Sequence, residues 1–169
     1  GGSTVIPNSR ATLDELSLEE WERVIQFNLR GTFLCSSAII KEMKKQGSGK
    51  IVNISSLAGH GISDSSGSGY AAAKAGIMAL TRKVAREVGP YGITCNAIAP
   101  GATASSRTGL AAMSDEQRRQ LVDPVPLGRV AQPEDQARVI AFLASEDADY
   151  VTGVTIVTTA IGKERRGLT

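Results

Sequence analysis

Short apolar runs alternate with longer amphipathic stretches along this sequence. The runs are rich in Ile and Val, as is typical of strands buried in a parallel sheet, and they lie at 50–54, 93–98 and 154–158. The amphipathic stretches have apolar residues at helical spacing and predict helices at 18–45, 70–88, 114–121 and 133–143. This alternation indicates an α/β fold, and 169 residues suit one domain.

Residues that begin and end helices stand where this pattern requires them. Ser17 and Glu20 predict a capping box at the start of the first helix. Pro90 follows the second helix, and Pro133 occupies the first turn of the last one. The segment 102–130 is long for a connection within one domain, which is typical of a lid or a binding loop.

One pair of side chains on the second helix suggests chemistry. Tyr70 and Lys74 are four positions apart, so they share one face of the helix. Tyrosine has a reference pKa of about 10 and exchanges protons poorly near neutral pH. An ammonium about 4 Å away favours the phenolate by up to roughly 4 kcal/mol at an effective dielectric constant near 20. We therefore expect Lys74 to lower the pKa of Tyr70 toward the working range of an acid–base catalyst.

A Tyr–Lys pair at this spacing is common on solvent-exposed helices. Whether this pair is functional therefore depends on the residues that accompany it. Ser55 and Ser56 follow the first predicted strand, and Pro100-Gly101 follows the second. Open α/β sheets bind ligands beyond the carboxyl ends of their strands, so we expect these residues near one ligand site. Asn28 is a polar residue within the apolar stripe of the first helix.

These features resemble the short-chain dehydrogenase/reductase family, in the family's own order and over almost the whole chain. The matching segments are Ile51–Gly59, Tyr70–Gly76, Asn96–Gly101, Pro126–Arg129, Phe142–Ser145 and Tyr150–Gly153. Among the subgroups of the family, the chain is most similar to the compact single-domain reductases, including those that reduce 3-oxoacyl thioesters.

The resemblance implies the C-terminal part of a Rossmann-like, doubly wound parallel sheet with helices on both faces. It also implies hydride transfer between NAD or NADP and a carbonyl or alcohol, such as a 3-oxoacyl thioester, a small ketone or a polyol. The implied catalytic residues are Asn28, Ser56, Tyr70 and Lys74. The implied cofactor contacts are Tyr70, Lys74, Pro100, Gly101, Thr103 and Ser105.

Each catalytic residue has an implied role. Tyr70 exchanges the proton of the reacting oxygen, and Lys74 lowers its pKa while hydrogen-bonding the nicotinamide ribose. Ser56 donates a hydrogen bond to the reacting oxygen. Asn28 holds a water beside Lys74, although an asparagine that only bends or caps its helix is the alternative.

The sequence also departs from the family pattern. No strand and glycine-rich turn for the cofactor pyrophosphate precede the first helix, so we expect residues 1–169 to form one partial domain without the N-terminal strands. Their loss would expose the edge of the strand at 50–54, a predicted aggregation site. Thr103 and Ser105 replace commoner residues after the Pro-Gly turn, and Thr158 stands where an acidic residue usually ends the last strand.

Two other functions are also compatible with the sequence. A truncated relative that keeps the tetrad but lacks the pyrophosphate-binding turn would be an interaction or structural protein. An epimerase or dehydratase of the extended branch shares the Tyr–Lys pair, but its substrate domain needs more chain after Pro100-Gly101 than this sequence has.

Composition supports a globular protein with 41% hydrophobic residues. A net charge of +2 favours neither nucleic acid nor a membrane surface as partner, and no apolar run approaches the ~20 residues of a membrane span. Cys35 and Cys95 are predicted to be small buried hydrophobes without a disulfide, which fits a cytoplasmic location. His60 is predicted to have no chemical role, and no residues suggest a metal site. Apolar helix faces around Cys35 and at 77–84 predict a homo-oligomer, a dimer or tetramer.

Overall fold

The computed structural model describes residues 5–6, 10–61, 63, 66–104 and 110–158, except for the side chain of Ala111. Its α-helices are α1 (Leu18–Ile25), α2 (Gly31–Gln46), α3 (Ser68–Val88), α4 (Asp115–Val122) and α5 (Pro133–Ala144). Its strands are β1 (Gly49–Ile54), β2 (Ile93–Ala99) and β3 (Thr155–Val157). Every helix and strand predicted from the sequence is present, with bounds that differ by a few residues.

The three strands form one parallel sheet in the order β1-β2-β3. Central strand β2 is buried along its whole length, which explains why most of its residues are apolar. The buried Asn96 in β2 donates from Nδ2 to the Val151 carbonyl at 2.8 Å and accepts from the Val154 amide at 3.3 Å. This side chain therefore fixes the segment that leads into β3. Within the described residues, β1 pairs only with β2.

Helices cover both faces of the sheet. The hydrophobic core on one face joins α3 to β1 and β2, and it consists of Ile51, Val84, Ala85, Val88, Ile93 and Cys95. Ile40 and Met43 of α2 pack against the same core. Helix α5 contacts β1 and β2 without contributing to this core, so it covers the opposite face. The doubly wound arrangement expected from the sequence is confirmed.

The helix predicted over 18–45 is interrupted. Its start is as predicted, because the Ser17 and Glu20 side chains form the reciprocal bonds of a capping box. Between α1 and α2, however, Gln26–Arg30 form one turn of π-helix. Gly47 ends α2 in a left-handed conformation with φ of 70°, where a side chain would be strained.

The two cysteines differ in their surroundings. Cys95 is buried in β2, as predicted, and burial raises the pKa of its thiol to about 11. Cys35 is exposed, so the prediction that it is buried is wrong. It lies on α2 beside Phe33 and Leu34, whose side chains are also exposed, because α2 turns this side away from the sheet. No helix in the described part of the chain is long and apolar enough to cross a membrane.

Candidate active site

The candidate site lies where β1 ends against the first turns of α3. A short 3-10 helix, Leu57–His60, follows β1 and brings its backbone against α3. A Cβ on Gly59 would lie 2.8 Å from the Lys74 carbonyl carbon and 2.8 Å from the Ala75 amide nitrogen. Only glycine permits this close approach, which sets the distance between the strand end and the catalytic face of the helix.

Two hydrogen bonds connect the same pieces of chain. The buried Ser55 hydroxyl donates to the Lys74 carbonyl at 2.8 Å. In the other direction, Lys74 Nζ donates to the Ile54 carbonyl at 2.9 Å. The lysine side chain is almost fully buried, and this desolvation lowers its pKa. Ser55 and Gly59 thus hold Lys74 in place. The position of these two residues in the sequence does not by itself predict this role.

Tyr70 and Ser56 meet at this strand end through a side-chain hydrogen bond. The phenol ring is half-buried, and its centre lies 5.5 Å from Lys74 Nζ. Burial raises the pKa of Tyr70, and the Ser56 hydrogen bond only partly opposes this because it stabilises the phenolate. The expected lowering of the Tyr70 pKa is therefore wrong for this structure: burial outweighs the Ser56 hydrogen bond, and the Lys74 ammonium donates to the Ile54 carbonyl instead.

Asn28 lies within the π-helical turn, at a buried position. Its Nδ2 donates to the Val24 carbonyl at 2.9 Å, which is a bond to its own helix. The neighbouring Leu29 packs against Gly76 of α3, where an added Cβ would lie 2.9 Å from Leu29 Cδ2. The turn that carries Asn28 thus lies against the Tyr–Lys helix. A single π turn within a helix occurs frequently at functional sites.

The turn after β2 reaches the same edge of the sheet. The Leu57 amide donates to the Pro100 carbonyl at 2.9 Å, and this bond joins the turn to the residue after Ser56. Thr103 continues from the turn and pairs with Ala131 in an isolated parallel bridge. Its hydroxyl contacts Gln136 of α5, a buried polar residue that sequence reasoning missed. A glutamine in the apolar pattern of α5 was the available signal.

The structure thus brings five of the sequence-predicted residues to one edge of the sheet: Ser56, Tyr70, Lys74, Pro100 and Gly101. Asn28 and Thr103 lie on segments that pack against this edge. Ser105 lies outside the described residues. His60 is exposed at the end of the 3-10 helix. In the described part of the chain, no group of three or more His, Cys, Asp and Glu residues is placed to hold a metal ion.

This arrangement suits proton exchange with an oxygen atom. A phenol, a hydroxyl that hydrogen-bonds it and a buried ammonium meet beside a backbone turn. The phenol and the hydroxyl can both hydrogen-bond one oxygen atom of a ligand. The ammonium and the turn provide polar groups for the hydroxyl and amide groups of a larger ligand. The donor set therefore fits a polar organic ligand that carries oxygen acceptors.

Comparisons with known proteins agree with this chemistry. The family model described as enoyl-(acyl carrier protein) reductase matches residues 4–160. The sequence is 40% identical over 159 residues to (3R)-3-hydroxyacyl-CoA dehydrogenase of Rattus norvegicus, covering 91% of this chain and 60% of that protein. It is 41% identical over 156 residues to 3-oxoacyl-(acyl-carrier-protein) reductase FabG of Staphylococcus aureus, covering 90% of this chain and 62% of that protein.

A solved structure extends the likeness to three dimensions. The 3-oxoacyl-(acyl-carrier protein) reductase of Brucella melitensis with bound NAD superposes with a TM-score of 0.83 at 35% identity. The superposition covers 93% of this chain and 57% of that one. The chain thus spans about 60% of the length of the curated relatives it matches.

Proposed function

Because this chain belongs to the short-chain dehydrogenase/reductase family, we propose that it carries the catalytic residues of an oxidoreductase that uses NAD or NADP. In the proposed reaction a carbonyl compound and NAD(P)H, with one proton, give the alcohol and NAD(P)⁺. The observation that carries this proposal is the Tyr70–Ser56 hydrogen bond beside the buried Lys74 ammonium at the end of β1.

Tyr70 is the proposed acid. Its pKa is raised by burial, so near neutral pH it holds its proton and is ready to donate it to a carbonyl oxygen. Ser56 donates a second hydrogen bond to the same oxygen and stabilises the charge that develops on it.

Lys74 and the turn after β2 are the proposed nicotinamide contacts. Lys74 Nζ uses one of its three hydrogens on the Ile54 carbonyl, which leaves donors for the ribose hydroxyls. Its positive charge also stabilises the phenolate that remains after Tyr70 has given up its proton. Pro100, Gly101, Thr103 and Ser105 are proposed to meet the nicotinamide ring. The cofactor itself supplies the hydride when bound.

Asn28 is proposed to complete a path for protons. It lies on a π turn that packs against the Tyr–Lys helix, and we propose that it holds a water beside Lys74. That water would return a proton to the site after Tyr70 has donated its own.

A 3-oxoacyl thioester is the proposed substrate, since the relatives named above are a hydroxyacyl-CoA dehydrogenase and an oxoacyl reductase. We also propose a homo-oligomer, because Phe33, Leu34 and Ile39 of α2 are exposed and leave apolar surface on this helix that a second copy would cover. Both cysteines are free, which is consistent with a proposed cytoplasmic location.

The test is a reductase assay on the 169-residue chain and on any longer native form of the polypeptide. NADH and NADPH are each supplied with a 3-oxoacyl thioester or a small ketone, NAD⁺ and NADP⁺ are each supplied with a polyol, and nicotinamide absorbance and fluorescence are followed. We expect cofactor binding and thioester-dependent loss of reduced nicotinamide. If no form binds either cofactor, the proposal is wrong and an interaction or structural role becomes the better one.

A further inference from the structure

A series of three polar side chains joins the turn after β2 to helix α5 and to the residue that follows β3. Gln136 lies at its centre, buried on α5. Its Nε2 donates to Thr103 Oγ1 at 3.2 Å. On its other side, the Thr158 hydroxyl, just after β3, donates to Gln136 Oε1. Burial of an amide is costly unless its donor and acceptor are both used, and here each has a partner.

From Thr158 through Gln136 to Thr103, each side chain donates a hydrogen bond to the next group in the series. The Thr103 hydroxyl donates its only hydrogen to the Gly101 carbonyl at 3.3 Å. It must therefore accept from Gln136, which assigns the glutamine NH₂ group to Thr103 and its oxygen to Thr158. Gln136 thus orients the Thr103 hydroxyl, and through it the Gly101 peptide.

The backbone around Thr103 is tied to the same region. The Ala104 amide donates to the Ala131 carbonyl at 2.7 Å, and the Ala131 amide donates to the Ala102 carbonyl at 3.1 Å. Ala131 precedes α5 by two residues, so these bonds and Gln136 all anchor 102–104 to the beginning of one helix. Gln136 differs from these backbone bonds because its side chain also bonds Thr158.

We propose that Gln136 is a positioning residue for the nicotinamide-binding turn 100–104; this inference rests on the function proposed above. With the Thr103 hydrogen committed to Gly101, the turn meets the nicotinamide mainly through backbone groups whose orientation Gln136 holds.

The test substitutes Gln136→Met, which keeps the length of the side chain and removes both polar ends. Gln120→Met is the matched control, because Gln120 is exposed on α4 and bonds only Glu116 of its own helix among the contacts described. We expect Q136M to weaken NADH or NADPH binding about 5- to 10-fold, the loss of one or two hydrogen bonds. The KM for the carbonyl substrate should change less than about 2-fold, and Q120M should bind the cofactor like wild type.

A double-mutant cycle separates positioning from general damage. If Gln136 acts through Thr103, the T103V/Q136M protein should bind cofactor within about 2-fold of T103V alone. Effects that multiply would overturn the inference. Should Q136M fold poorly, Thr158→Val removes the outer bond alone and should weaken cofactor binding in the same direction by a smaller factor.

Hydrogen exchange of the Ala104 amide gives a readout that needs no cofactor. We expect exchange at Ala104 to be faster in Q136M than in wild type and unchanged in Q120M. Unchanged exchange in Q136M would overturn the inference even if the protein is an active reductase. Failure of the wild-type protein to bind either nicotinamide would instead refute the proposed function, and the exchange result would still decide whether Gln136 holds the turn.

Discussion

Replacing Gly59 by alanine tests the packing that holds the site together. The new Cβ would lie 2.8 Å from the Lys74 carbonyl carbon and from the Ala75 amide nitrogen, and 2.9 Å from Met78 Cε. Two of these neighbours are backbone atoms within the 21-residue helix α3, so they cannot move aside as a side-chain tip can. The 3-10 helix Leu57–His60 must separate from α3 instead.

The size of the effect follows from two opposing contributions. Overpacking of this kind costs about 1–3 kcal/mol, whereas the reduced entropy of the unfolded chain returns about 0.4–1 kcal/mol. We expect G59A to lower the free energy of unfolding by about 1–2 kcal/mol, which corresponds to a fall in Tm of roughly 2–8 °C for a domain of this size. The same separation pulls Ser56 from Tyr70, so reductase activity should fall as well.

Urea unfolding followed by circular dichroism measures this change, with Gly31→Ala as the matched control. No atom lies within 4 Å of a Cβ on Gly31, at the start of α2, so G31A should leave stability unchanged or raise it by up to about 1 kcal/mol. A G59A protein as stable as wild type, or one destabilised no more than G31A, would show that the close approach of the strand end to α3 is not real.

Two further predictions concern titratable groups. The hydrogen bonds from Arg129 and from the Gln132 amide lower the pKa of Asp135 to about 2 from an ordinary 3.8, so the stabilisation is complete above about pH 4 and is lost as the pH falls toward 2. The stability difference between wild type and D135N in urea should therefore shrink across that interval, and a constant difference would contradict the pairing. At about pH 8, in protein diluted until it is monomeric, a thiol reagent should modify exposed Cys35 quickly and buried Cys95 only after unfolding; rapid reaction of both thiols in the native protein would contradict the fold.

The elements could be predicted from the sequence because burial imposes their periodicity. Strand β2 is buried on both faces and is mostly apolar, and the ends of the helices carry their own capping residues. The π turn at Gln26–Arg30 could not be predicted in this way. It forms where Asn28 bonds the Val24 carbonyl and Leu29 meets Gly76, which is a contact between distant parts of the chain.

The sequence predicts which residues form the site, but it does not predict the directions of their pKa shifts. Helical spacing placed Tyr70 and Lys74 on one face, yet spacing does not show where a flexible ammonium points. In the structure Lys74 bonds the Ile54 carbonyl, and burial of the phenol decides the direction of its pKa shift. Gln136 was missed because its partner Thr103 lies 33 positions away and has no pattern linking it to α5.

Single-turnover reduction by Tyr70→Phe tests the central claim most directly. Enzyme loaded with NADH or NADPH is mixed with a 3-oxoacyl thioester, and the first-order loss of nicotinamide fluorescence is recorded beside the Kd of the cofactor. If the phenol donates the proton, the rate constant should fall by about 10²–10⁴ while cofactor affinity changes less than about 3-fold. A Y70F protein that reduces the thioester within about 10-fold of the wild-type rate would contradict the assignment of Tyr70 as the acid.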